Sequence, residues 1–189
     1  MPKHSSSFLL FLWLTLWLAS CSPSGPEDDL LTGAFGFAFG DRPEGIGDAY
    51  LSELKSIQAG TPPSPDDRFE KYFYTVTPGT HKIYQINAMT APHLSGPACD
   101  AMIDNLADEL TQQYYTQDEA IVNRSERKWV LQRNSKRSVT LECMKASSQS
   151  DVGNGQLYQL SMSYLDYNLA TEAYKEWKKT GLPDKPDRY

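Results

Sequence analysis

The sequence predicts an α+β domain: a mainly antiparallel sheet of about five to six strands, covered on one face by about three helices. Three observations predict it. Two period-two runs, Phe69 to Thr77 and His81 to Thr90, flank Pro78-Gly79, where proline fixes φ and glycine tolerates a tight reversal, so they form a hairpin. Apolar residues Met102, Ile103, Leu106, Leu110 and Tyr114 then recur at helical spacing. A second group of alternating runs follows and closes on another amphipathic segment.

In chain order, the first element is an address. Lys3 precedes an apolar run from Phe8 to Ala19, which leads through Ser20 to Cys21. The run is too short and wrongly flanked for a membrane span and reads as a cleavable export signal. Leu18-Ala19-Ser20-Cys21 resembles the lipobox of bacterial lipoproteins. That resemblance implies a diacylglycerol on the Cys21 thiol, cleavage before Cys21, and a membrane anchor. Ser22 stands where an aspartate would favour inner-membrane retention, so the resemblance implies the periplasmic face of the outer membrane. The organisation that follows is a signal peptide over 1–20, a lipidated tether over 21–32, one domain over 33–182 and a polar tail over 183–189.

The tether holds two prolines, a glycine and three acids without periodicity. Gly33 to Gly40 alternates Phe35, Phe37 and Phe39 with small residues and reads as a strand. Its glycines fit no phosphate-binding spacing. Ile46, Tyr50, Leu54 and Ile57 predict a short helix from Glu44 to Ile57, ended by Gly60 and Pro62-Pro63. In the hairpin, Tyr72, Tyr74 and Val76 should face Tyr84, Ile86 and Ala88 in the core. The next helix should run from Pro97 to Tyr115, with Asp100, Asp104 and Asp108 forming a ridge whose charge favours the helix N-terminal half.

Strands are expected at Trp129 to Gln132, Ser138 to Met144 and Gln156 to Tyr164, with Val139, Leu141 and Cys143 on one face and Tyr158, Leu160, Met162 and Tyr164 on another. The last helix, Tyr167 to Thr180, should turn Ala170, Ala173, Tyr174 and Trp177 inward and stop before Gly181. Phe35-Gly36 with Gly40, and Leu160, Tyr164 and Asp166 before a helix, look like small exported bacterial proteins of unassigned function.

With Cys21 committed to lipid, Cys99 and Cys143 remain as an even pair in an oxidising compartment, and a disulfide between them is expected. The formal net charge of −6 makes nucleic acid an unfavourable partner. His81 and His93 stand at no metal-ligand spacing, and no nucleophile or zinc-protease motif appears, so no catalytic residue, metal or cofactor is assigned.

The one departure from the acidic average is Arg124, Arg127, Lys128, Arg133, Lys136 and Arg137, a basic hairpin with Trp129 as a possible stacking platform. Such a patch could meet lipid A phosphates, an envelope protein or peptidoglycan carboxylates, or else simply balance the Asp100-Asp104-Asp108 ridge. As a binding patch it should tolerate Arg133→Glu with Arg137→Glu without loss of stability. The resulting expectation is a non-enzymatic envelope lipoprotein. A periplasmic hydrolase of envelope polymer, acting through carboxylates that converge only in the fold, is the alternative.

Overall fold

Alternating apolar residues in the second half of the chain need one face buried, and a computed structural model shows how the fold provides it. The structure describes residues 31–43, 57–59, 61–114, 120–133, 135–146 and 156–179. A short hairpin, β1 (Gly33–Ala34) and β2 (Phe37–Ala38), precedes a seven-stranded antiparallel sheet. The sheet order is β3 (Ile57–Ala59), β4 (Lys71–Val76), β5 (Ile83–Met89), β9 (Tyr158–Asp166), β8 (Arg137–Lys145), β7 (Lys128–Arg133) and β6 (Ala120–Ser125). Two helices complete the described residues, α1 (Gly96–Tyr114) and α2 (Tyr167–Lys179).

The α+β class and the antiparallel sheet are as expected, but the details differ. The sheet has seven strands, because β3 and β6 were not foreseen. The helix expected over Glu44–Ile57 lies outside the described residues except for Ile57, which begins a strand paired with Tyr74. Leu31, placed in the tether by composition, is buried in the core.

Register puts Tyr74, Ile86, Tyr164, Val139 and Leu131 in a row across one face, and Tyr72, Ala88, Met162, Leu141 and Trp129 beside it. On this face lies α1, with Ile103, Leu106, Leu110 and Tyr114 buried against it. Ser95 caps α1, its hydroxyl accepting from the Ala98 N–H at 3.3 Å. Of the six hairpin residues expected in the core, Tyr84 is the exception. A bulge between Thr75 and Val76 shifts the pairing, so Ile83 rather than Tyr84 opposes Val76 and is buried.

The phenylalanine run folds back on itself. Phe35 and Gly36 form the two-residue loop of β1–β2, both at positive φ, 54° and 81°. A phenylalanine rarely adopts that conformation. Here its ring lies edge-on to Phe69, Tyr72 and Tyr164, at centroid distances of 5.7, 5.1 and 5.9 Å, which offsets the backbone cost. Gly36 is required, since a Cβ there would stand 2.6 Å from Pro63.

The second helix is not part of a one-sided cover. The Tyr167 hydroxyl meets Ser138, a residue of the opposite face, at 3.3 Å, and buried Ala173 and Trp177 stand outside the contiguous core. Tyr174, expected inward, is half exposed under Lys178. The acceptor atoms of Asp166 receive the Asn168 and Leu169 N–H groups at 3.0 Å, which starts α2 where β9 ends.

Candidate functional site

The basic residues singled out from the sequence lie on β6, β7, β8 and their turns, but register divides them between opposite ends of β7: Arg124, Arg127 and Lys128 at the β6–β7 turn, and Arg133, Lys136 and Arg137 at the β7–β8 turn. Arg124 on β6 forms an ion pair with Asp104 of α1. Arg127, in the β6–β7 turn at φ 56°, lies 4.2 Å over the Tyr158 ring and 3.9 Å from Asp100. Lys128 pairs with Glu142 across the β7–β8 register at 3.0 Å. The hairpin therefore balances two of the three acids on the α1 ridge, leaving Asp108 exposed.

Of the remaining members, all but Lys136 are structural. Arg133 is buried, and its guanidinium donates to the Tyr114 carbonyl at 3.5 Å, placing a cation at the negative end of α1. Arg137 donates to Asp166 at 2.9 Å, holding the carboxylate that caps α2. Lys136 is exposed, and its side chain has no partner among the described residues. Trp129 is 3% exposed, packed in the core beside Leu141, and so offers no face for stacking. The expectation that Arg133 could be reversed without loss of stability is thereby corrected: its side chain is buried against a helix end.

Cys99, one turn into α1, is joined to Cys143 on β8, with Cα atoms 6.1 Å apart. The link fixes the start of α1 to the sheet beside the Arg127–Tyr158 stack. Gly96 packs closely there: a Cβ would stand 3.1 Å from the Arg127 guanidinium, which would have to shift by a few tenths of an ångström.

Two shallow grooves flank α1. One, of about 600 Å³, holds Arg68 between carboxylates. Arg68 takes Asp66 through two nitrogens at 3.0 and 2.7 Å, and Glu109 at 2.9 Å. Hydrogen bonding from Arg68 holds the Asp66 carboxyl below its ordinary pKa. Arg68 thus bridges the two carboxylates as a strut. The other groove, of about 530 Å³, runs between α1 and β6 and is lined by Asp104, Ala107, Asp108, Thr111, Val122, Arg124 and Trp129.

Sequence reasoning missed this second groove because it missed β6. Ala120–Ser125 lacks an alternating pattern, being exposed on both faces, with Ile121 64% and Val122 43% accessible. The signal available was the Ile121-Val122 pair itself, β-branched residues ahead of a turn. Among the described residues, no helix is long and apolar enough to cross a membrane, and no group of three or more histidines, cysteines or acids is placed to hold a metal ion. Comparison of the chain with protein-family models, curated proteins and solved structures gives no match.

Proposed function

We propose that this chain is a lipid-anchored protein of the bacterial cell envelope, held at the periplasmic face of the outer membrane through Cys21, whose α+β domain binds a partner rather than transforming a substrate. The observation that carries the reading is Leu18-Ala19-Ser20-Cys21 at the end of a short apolar leader. A disulfide-linked pair in the domain suits export to an oxidising compartment. The binding role is supported by the domain's surface chemistry. Its opposed carboxylates are bridged by Arg68, and two exposed apolar residues, Ile121 and Val122, lie side by side on an edge strand beside a charged helix.

The test is metabolic labelling with a radioactive fatty acid. Wild-type protein takes up label, and Cys21→Ser does not, because a hydroxyl cannot replace the thiolate in thioether formation. Equal labelling of the two overturns the anchor.

A further inference from the structure

Among the described residues, nothing covers the edge of the sheet at β6. Edge strands in soluble proteins are commonly blunted by a lysine, a proline, a bulge or a covering element, since their free N–H and C=O groups template another strand. β6 pairs with β7 through six consecutive residues without a register shift, and it contains neither lysine nor proline. No backbone hydrogen bond among the described residues reaches its outer side. Its one charge, Arg124, is neutralised by Asp104. Ile121 and Val122 are the two most exposed β-branched residues of the described sheet.

Register decides what an added strand would meet. Val122 and Arg124 oppose Leu131 and Trp129, so they lie on the α1 side, whereas Ile121 and Asn123 lie on the other. A strand laid along β6 would send alternate side chains into the groove against α1, where Val122 and Ala107 are apolar and Asp104 and Asp108 carry charge. Asp108 is exposed and has no ion-pair partner among the described residues. A second copy of this chain fits poorly. Pairing β6 with itself about a two-fold axis would bring both acidic ridges to the same face beside the joint, in a protein of net charge −6.

We infer that β6 and the α1 groove form a strand-addition site for an extended protein segment that alternates basic with apolar residues. Backbone pairing to β6 supplies affinity, and Asp108 selects the basic side chains. This deepens the binding role proposed above and rests on it. It is independent of the lipid anchor, whose failure would show in fatty-acid labelling alone.

The probe is a fluorescent peptide alternating lysine and valine over the length of β6, titrated with the full-length protein in detergent and followed by anisotropy. Binding that weakens as salt is raised is expected, with a glutamate–valine peptide not bound. The same lysine–valine peptide N-methylated at alternate residues keeps its charge and loses its donors; it should fail to bind. Asp108→Lys, on an exposed helix position, should lower affinity for the lysine–valine peptide about tenfold and leave thermal stability unchanged. Equal binding of the N-methylated and parent peptides would reduce the site to charge attraction and overturn the inference. So would indifference to Asp108→Lys. A concentration-dependent dimer that excludes the peptide and dissociates on Ile121→Lys would assign the edge to a second copy and equally overturn it.

Discussion

Arg133 and Lys136 are both cations of one basic hairpin in the sequence, yet burial separates them. Arg133 lies in the sheet's core face at the C-terminal end of α1, while Lys136 is exposed in the β7–β8 turn. Arg133→Glu places a carboxylate in a buried site facing a helix's negative end and removes the cation from the Tyr114 carbonyl. Its expected cost is about 3 kcal/mol or more, against less than about 0.5 kcal/mol for Lys136→Glu. Urea denaturation of the two variants checks this, and similar midpoints would mean that Arg133 is solvated. Tyr164 also shows the effect of burial: desolvation pushes its phenol well above the ordinary range, and its hydroxyl donates to the Met162 sulfur at 3.9 Å.

At the scale of elements, α2 is tied to the β4–β5 turn by Glu176. Its carboxylate accepts the Gly79 N–H at 2.7 Å, the Thr80 N–H at 3.2 Å and the Thr80 hydroxyl at 2.9 Å. Partial burial alone would raise its pKa, but these hydrogen bonds and nearby Lys82 hold it below its ordinary value. A carboxyl whose folded pKa is depressed contributes stability above its unfolded pKa and loses it as pH falls through the folded one. Glu176→Gln should therefore be less stable than wild type near neutral pH, by under about 1 kcal/mol given its solvent exposure. The difference should shrink as pH falls below the ordinary glutamate range and vanish once the folded carboxyl is protonated. Denaturant midpoints at several pH values check the sign; a gap that widens in acid would contradict it.

The elements with one buried face were legible in the sequence to within a few residues. Helix α1 and strands β4, β5, β7, β8 and β9 each carry a periodic apolar stripe, and burial follows it. What escaped had no stripe or was decided elsewhere. β6 is exposed on both faces, and the β1–β2 reversal depends on Phe35 finding an aromatic socket made by residues far along the chain. Tyr84 was displaced by a bulge, which period-two counting does not see. The basic residues were read as one patch because sequence shows charge but not partners. Their separation into Asp100 and Asp104 pairings, a helix-end cation and a cap holder needs the packing of α1 and α2.

For the whole molecule, the proposed export and anchoring would account together for the α1–sheet link. A chain delivered to an oxidising compartment gains from joining Cys99 to Cys143 across a sequence separation of 44 residues, worth about 4 kcal/mol in the chain-entropy model and less if the unfolded chain keeps structure. Against a typical domain stability of about 5 to 15 kcal/mol, that is a large share. The intact mass of the full chain purified from its native membrane, without reduction, reads both events at once. The predicted result is a chain beginning at Cys21, heavier by a diacylglyceryl group, and lighter by the two hydrogens lost when Cys99 and Cys143 join. A chain that retains residues 1–20, or one beginning at Cys21 with a free thiol, would contradict it.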